Sequence, residues 1–165
     1  MTTVAALMLA DGRLPAGGHA HSGGLEAAAA TGAVHDVATL ATFLAGRLDT
    51  AGRVAAGLAA AACCGTHPLD RLYAEADART ASPALRDASR RQGAHLARAS
   101  AATFGVVVGA GAAGAHHHAV TLGAVARSAG LAPVEAARLA AYAAVTGPAT
   151  AAVRLLGLDP FAVQG

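Results

Sequence analysis

The sequence predicts an all-α fold, with residues 1–165 forming a single helical bundle of about seven to nine helices. A chain of 165 residues fits one domain. It is rich in alanine, the strongest helix former, and period-2 alternation is confined to Gly105–Val108. Aromatic residues make up only 3% of the chain, so we expect a thin core that depends on close helix contacts and favours a stabilising partner. The larger anchors expected in this core are Leu40, Phe43, Leu44, Leu48, Leu139 and Leu155.

An irregular segment interrupts the helical sequence near the N-terminus. Residues 4–11 predict a short helix, and the proline- and glycine-rich residues 12–24 predict a loop. A second helix is expected over Gly24–Thr31, ending at a glycine. With Gly23 as its N-cap, Glu26 occupies the N3 position, where a carboxylate favours the positive end of a helix.

A longer helix follows, with Asp36 as its N-cap. Apolar residues at positions 40, 43, 44 and 48 have helical spacing, and the pattern continues to about Cys64. We expect a kink in this helix at Gly46 or Gly52, because glycine weakens a helix interior.

Prolines mark the starts of the later helices. Pro68 and Pro83 are expected at N1 positions, the second after a serine N-cap and in a helix that runs to about Ala102. Residues 119–129 predict another helix, and the next begins at Pro133 and breaks at Gly147-Pro148. In the helix that begins at Pro133, the larger or inward-facing candidates are Val134, Ala137, Leu139 and Tyr142. Along the chain, three ion pairs are expected from i, i+4 spacing: Asp49–Arg53, Glu75–Arg79 and Asp87–Arg91.

Charge and composition exclude several classes of protein. A formal charge of +2 provides no strong attraction to nucleic acid. All basic residues are arginine, so a P-loop NTPase, a protein kinase and a Schiff-base enzyme are excluded because each needs a lysine. The adjacent Cys63 and Cys64 are expected to be buried, reduced thiols. The longest apolar run, Ala101–Ala115, is too short to span a membrane, and no basic residue precedes the apolar N-terminus. We therefore expect a soluble cytoplasmic protein without membrane contact.

One glycine motif suggests a dinucleotide-binding enzyme. Gly109–Gly114 matches G-x-G-x-x-G after a β-branched run, and Glu135 follows about twenty residues later, where a ribose-binding acid is expected. However, the second strand would contain Pro133, and the sequence offers no further strand for a parallel sheet. The motif also arises easily by chance in a chain rich in glycine and alanine, so this function stays an alternative.

The histidines suggest a second alternative, an independent histidine-based metal-binding protein. Within the run His116-His117-His118, consecutive side chains on a helix point about 100° apart, so only one or two could converge on an ion. His19 and His21 would share a face of an extended segment. Ser22 lies outside any G-x-S-x-G motif and is not expected to be catalytic. Four arginines at helical spacing form either a solvated face or a contact for an acidic partner: Arg86, Arg90, Arg91 and Arg98.

Four stretches resemble the signatures of the urease accessory protein UreF family. Leu14–Glu26 (LPAGGHAHSGGLE) resembles LP-x-GG-[FY]-x-[HY]-S-x-GLE, and Arg86–Gly93 resembles R-x-x-S-x-x-x-G. His118 with the later Gly123 resembles H-x-x-x-x-G, and residues 151–165 resemble A-A-V-R-L…GQ. The stretches occur in order along nearly the whole chain. The sequence departs from the family pattern in two places. Position 19 is a histidine, where the family usually has an aromatic residue. Family members also usually continue past the position of Gln164, and these residues do not include that C-terminal extension.

The resemblance implies an all-α protein without catalytic activity. UreF proteins act as nickel-insertion chaperones that bind the accessory protein UreD (also called UreH) and the GTPase UreG, usually as a homodimer within that assembly. They help to deliver nickel to apo-urease and are thought to couple GTP hydrolysis to delivery. The resemblance thus implies no tightly bound cofactor and no metal ligands in this chain, with nickel as the cargo of the complex.

Carried over by position, the resemblance also implies two groups of functional residues. The first shapes the loop and the helix that follows it and contributes to partner binding: Gly17, Gly18, His19, His21, Ser22 and Glu26, with Gly24 and Leu25. The second, Arg154 and Gln164, belongs to the C-terminal partner contact. A charged residue on an otherwise apolar helix end is also consistent with a structural role for Arg154, as a donor to backbone carbonyls.

Overall fold

The computed structural model describes residues 2–16, 21–111 and 114–165, and this part of the chain contains α-helices and no β-strand. The prediction of an all-α bundle is confirmed. The helices are α1 (Thr2–Ala10), α2 (Leu25–Ala30), α3 (Val37–Arg47), α4 (Arg53–Cys64), α5 (Leu69–Arg79), α6 (Pro83–Phe104), α7 (His118–Ser128), α8 (Pro133–Leu156) and α9 (Pro160–Gln164).

Helices α3 and α4 are continuous through a π-helical segment, Leu48–Gly52. Asp36 caps the start of α3 as predicted and accepts a hydrogen bond from the backbone N–H of Thr39 at 2.8 Å. The π-helical segment lies at the predicted irregularity, and a Cβ on Gly52 would come 3.3 Å from the carbonyl oxygen of Arg47. Such segments widen a helix by one residue and often occur where function requires a local distortion.

The predicted break at Gly147-Pro148 is wrong, because α8 continues through Pro148 to Leu156. Proline lacks the N–H that would donate to the carbonyl of Ala144 one turn earlier. Arg47 supplies the missing donor from α3, with its Nε 2.9 Å from the Ala144 oxygen. The lost backbone hydrogen bond is therefore replaced by a side chain from another helix.

The unbroken α8 is the central helix of the bundle, and it packs most extensively on α4 and also contacts α1, α2, α3, α7 and α9. Among the described residues it is the one helix long and apolar enough to cross a bilayer by length and composition. Core helices of soluble proteins commonly meet the same criteria. The predicted break at Gly147-Pro148 would have divided this helix into two segments too short to span a bilayer.

The core is rich in small residues, as expected from the composition. Ten of the 21 buried apolar residues among those described are alanine. Helices α7 and α4 approach each other closely at Gly123, where a Cβ would lie only 2.2 Å from the carbonyl oxygen of Ala59. This direct backbone contact takes the place of larger side chains. The larger buried residues include Leu25, Val34, Leu40, Leu96, Val120 and Leu122.

Several predicted core positions are wrong. Of the expected anchors, Leu40 is buried and Phe43, Leu44 and Leu139 are half-buried, but Leu48 and Leu155 are 39% and 49% exposed. The inward candidates Val134 and Tyr142 are 53% and 54% exposed. In an alanine-rich helix, alanines can supply the buried face while the larger residues point outwards, so residue size is a poor guide.

The predictions of helix starts, ion pairs and buried thiols are also partly confirmed and partly wrong. Pro83 takes N1 after the Ser82 cap, whereas Pro68 is itself the N-cap of α5. Glu75 and Arg79 form the expected ion pair, but Asp87 pairs with Arg90 at 3.6 Å rather than with Arg91. The expected pair of Asp49 with Arg53 is wrong, because the two side chains are not within ion-pair distance. Both cysteines are free thiols, Cys63 buried and Cys64 exposed.

Candidate functional site

Two adjacent glycines and Ser22 shape the loop that leads into α2. Gly23 and Gly24 have φ angles of +62° and +95°, which side-chain-bearing residues rarely adopt. The Ser22 hydroxyl accepts a hydrogen bond from the backbone N–H of Glu26 at 3.2 Å. Gly24 rather than Gly23 is the N-cap, so Glu26 lies at N2 and not at the predicted N3, with its side chain exposed. Gly17, Gly18 and His19 lie outside the described residues.

Arg47 anchors this loop to the central helix. Its Nη1 donates to the carbonyl oxygen of Gly23 at 2.6 Å, while its Nε serves the carbonyl of Ala144. A Cβ on Gly23 would come within 2.8 Å of the Arg47 guanidinium and 3.0 Å of the Pro148 ring, so only glycine fits between them. Burial lowers the pKa of Arg47. Arg47 was not among the residues predicted from the sequence. The available signal was Pro148, a proline inside a helical pattern that leaves one carbonyl in need of a donor from elsewhere.

The loop motif and the C-terminal motif meet in one apolar cluster. Leu25, the first residue of α2, is buried with Leu40 of α3 and with Ala151 and Ala152 of α8. Val163 of α9 packs against the same cluster. The helices that carry the exposed residues Glu26, Arg154 and Gln164 are therefore held together at one end of the bundle.

A second buried network joins α5, α6 and the start of α7 around His117. Its Nε2 lies 2.9 Å from Asp77 Oδ1, and its Nδ1 lies 3.1 Å from the Ser89 hydroxyl. That hydroxyl oxygen accepts from the backbone N–H of His118 at 3.2 Å. Ser89 can therefore donate to Nδ1, and a neutral His117 donates from Nε2 to Asp77. Arg90 also donates to Asp77, at 2.7 Å.

The residues of R-x-x-S-x-x-x-G each have a structural role in this network. Arg86 donates to the carbonyl of Thr80 at 2.7 Å and thereby holds the turn between α5 and α6. Ser89 bridges two histidines, as described. A Cβ on Gly93 would lie 1.6 Å from the carbonyl oxygen of His116, so the backbone of the histidine run rests directly on this glycine. Of the four arginines expected on one face, Arg86 and Arg90 thus have partners inside the protein, while Arg91 and Arg98 are exposed.

Burial controls the titration of these histidines. It lowers the pKa of His116 and of His117, the latter despite the opposing hydrogen bond with Asp77, and lowers the pKa of His118 to about 4. Burial also lowers the pKa of His21, with Arg91 and His95 acting in the same direction. Of these rings, that of His117 is the one with hydrogen-bond partners on both nitrogens among the described residues, and its neutral form fits both of them.

The two alternative functions find little support in the described residues. Across residues 2–16, 21–111 and 114–165, no three histidine, cysteine, aspartate or glutamate side chains form a group that could hold a metal ion. Val106–Gly111 has no strand, and its end packs on Tyr73, whose hydroxyl donates to the carbonyl of Gly109 at 3.3 Å. The glycine motif, whose residues 112 and 113 lie outside the described part, therefore lacks the strand that dinucleotide binding requires.

The fold and its motif residues define an all-α protein whose signature positions shape loops and helix contacts. The UreF family model matches residues 34–165. The chain is 47% identical over 157 residues to the urease accessory protein UreF of Mycolicibacterium vanbaalenii, with 93% of this chain and 73% of that protein covered. Its identity to the UreF of Mycobacterium sp. strain JLS is 47% over 161 residues, covering 97% and 76%. For the UreF of Mycobacterium tuberculosis it is 45% over 161 residues, again covering 97% and 76%. This chain belongs to the UreF family of urease accessory proteins.

Proposed function

We propose that this chain is a scaffold for urease maturation that binds a UreD(UreH)-type accessory protein and a UreG-type GTPase and supports nickel insertion into apo-urease. It works in the cytoplasm as a homodimer within that assembly. Nickel is the delivered cargo, and the chain itself binds no cofactor tightly and catalyses no reaction. The observation that carries this proposal is the identity of 45–47% to UreF proteins over nearly the whole chain.

The chemistry of the chain supports a division of labour with its partners. Without a lysine it has no Walker A residue, so the nucleotide is handled by the GTPase. The exposed side chains of Glu26, Arg154 and Gln164 lie on helices that share one apolar cluster. A partner that binds this end of the bundle would contact both terminal motifs at once.

Co-purification tests the proposal directly. The wild-type chain, co-expressed with UreD-type and UreG-type proteins from a urease operon, should pull down both and raise the nickel content and activity of urease. Arg154→Ala should weaken the pull-down, whereas Arg138→Ala, an equally exposed arginine on the same helix, should leave it unchanged. A wild-type chain that captures neither protein would contradict the proposal.

Equilibrium dialysis with nickel separates this function from an independent nickel-binding protein. The scaffold is expected to bind nickel weakly and without defined stoichiometry, because no group of three histidine, cysteine, aspartate or glutamate side chains among the described residues could hold a metal ion. Tight binding of one ion per chain, abolished by His19→Ala or His21→Ala, would instead favour the histidine-based alternative.

A further inference from the structure

A cleft of about 380 Å³ lies between α4 and α5, on residues that no family signature marks. Its apolar lining consists of Val54 and Leu58 from α4 and Leu72 from α5. Leu72 is buried, while Val54 and Leu58 are half-buried and face the open space. We call this feature the basic cleft, because charged residues form the rest of its lining.

Cations dominate the lining of the basic cleft. Arg53, Arg71 and Arg79 all line it, with a single carboxylate, that of Glu75. Glu75 is already paired with Arg79. No carboxylate of the described residues lies within ion-pair distance of Arg53 or Arg71, so these two guanidinium groups face the cleft uncompensated.

A glycine keeps the cleft open where packing does not require one. Gly57 lies in the middle of α4 and lines the cleft, and a Cβ built on it would meet nothing within 4 Å. Gly46 and Gly147, also inside helices, are equally open, whereas a Cβ on Gly123 would lie 2.2 Å from the carbonyl oxygen of Ala59. Alanine is the better helix former and is abundant in this chain, so a glycine here weakens the helix without any packing benefit inside the protein. The missing side chain leaves this part of the cleft open.

The chemistry of the lining favours a peptide over a phosphate. Guanidinium groups bind carboxylates through paired hydrogen bonds, and an apolar floor accommodates an adjacent aliphatic side chain. Phosphate sites typically use backbone N–H groups at a helix N-terminus or in a glycine-rich loop, whereas this cleft is lined by side chains along two helices. We infer that the basic cleft binds an acidic segment of a protein partner, with its carboxylate between Arg53 and Arg71 and an aliphatic side chain on the floor. This inference rests on the proposed function, which supplies the partner.

Calorimetric titration with the UreD-type and UreG-type proteins tests the inference. For one of them, the double variant Arg53→Gln/Arg71→Gln should lower the affinity about tenfold or more and flatten its salt dependence. The control Arg127→Gln/Arg138→Gln removes the same charge from exposed residues outside the cleft and should leave the affinity unchanged. Gly57→Leu should weaken binding by filling the cleft, and Gly57→Ala should raise the melting temperature, which shows that α4 tolerates a side chain there. Equal binding of wild type, the Arg53/Arg71 double variant and Gly57→Leu would overturn the cleft inference and leave the scaffold function standing.

Inorganic phosphate distinguishes the source of the anion. The partner affinity is measured in chloride and in phosphate at the same ionic strength. The change in affinity should be no larger for the wild-type chain than for the Arg53/Arg71 variant. Selective competition by phosphate that depends on these arginines would identify a small-anion site and overturn the inference. If the wild-type chain binds neither protein, the proposed function itself is wrong. If the wild-type chain binds a partner and the Arg53/Arg71 variant binds it equally well, only the cleft inference is wrong.

Discussion

Replacement of Arg47 tests the link between the glycine loop and the central helix. Arg47→Met keeps the aliphatic stem but removes both donors, leaving the carbonyl oxygens of Gly23 and Ala144 without this guanidinium. A hydrogen bond from a charged donor contributes about 1.5–3 kcal/mol. Removing the part-buried guanidinium also relieves its partial desolvation, so we expect a net loss of about 2–4 kcal/mol in the free energy of unfolding.

A second substitution isolates the hydrogen bond to Ala144. Pro148→Ala restores the backbone N–H that an unbroken helix would donate to this carbonyl. In that background the carbonyl is satisfied without Arg47, and Arg47→Met should be about 1 kcal/mol less destabilising than in the wild type. Packing lost with the proline ring is common to both sides of the cycle and cancels.

The assay is urea unfolding of the four proteins, followed by far-ultraviolet circular dichroism at one pH. Arg138→Met, on the exposed face of α8, controls for the loss of an arginine and should change the free energy of unfolding by less than about 0.5 kcal/mol. Additivity of the two substitutions within about 0.3–0.5 kcal/mol would refute the argument that Arg47 replaces the missing donor of Pro148.

Three further predictions concern the contacts made by the signature residues. Gly93→Ala should destabilise the fold by about 2–4 kcal/mol in urea, because the backbone of His116 must move away; an unchanged unfolding midpoint would show that the histidine run does not rest on α6. Ser22→Ala should lower stability by about 1 kcal/mol through loss of the hydrogen bond from the Glu26 N–H, while Glu26→Ala, at N2 and exposed, should cost only about 0.3 kcal/mol. The reverse order would contradict the role of the Ser22 hydroxyl as acceptor for the first turn of α2. Stability should be full above pH 6.5, the unfolded pKa of histidine, and should fall as the pH is lowered towards about 4, the folded pKa of His118. After allowing for partial exposure of the ring, we expect the free energy of unfolding to be about 1–2 kcal/mol lower at pH 4.5. His118→Gln should reduce this pH dependence, and an equal slope in the variant would assign the effect to other groups.

Local signals in the sequence predicted the helix starts well. Asp36 and Ser82 were identified as N-caps because a short polar side chain before a helical pattern satisfies the first backbone N–H groups. Gly32 and Gly130 have the positive φ angles expected of glycines after helix ends. These predictions need only the residues within one turn of the site, so one sequence is sufficient for them.

Features that depend on a distant residue could not be predicted in this way. The helix break at Pro148 was expected from the missing N–H alone, and the donor that replaces it comes from Arg47, about a hundred residues earlier in the chain. Likewise, the run from His116 to His118 suggested a metal site, but its neighbours Ser89 and Asp77 lie on other helices and occupy the ring nitrogens of His117. Chemistry-bearing residue types reveal a site only when their spatial partners are known.

Several signature residues stabilise the fold, so their substitution cannot be used to locate a partner-binding surface. Gly93 and Gly123 lie where two backbones touch, and Ser89 bridges two elements, so their substitution would disturb folding before it disturbed binding. A loss of partner binding in such variants would not locate an interface. Arg53 and Arg71 differ in this respect, because they lie in an open cleft without an ion-pair partner among the described residues. Their substitution can change partner affinity while leaving the free energy of unfolding nearly unchanged, which is the combination of effects that identifies an interface.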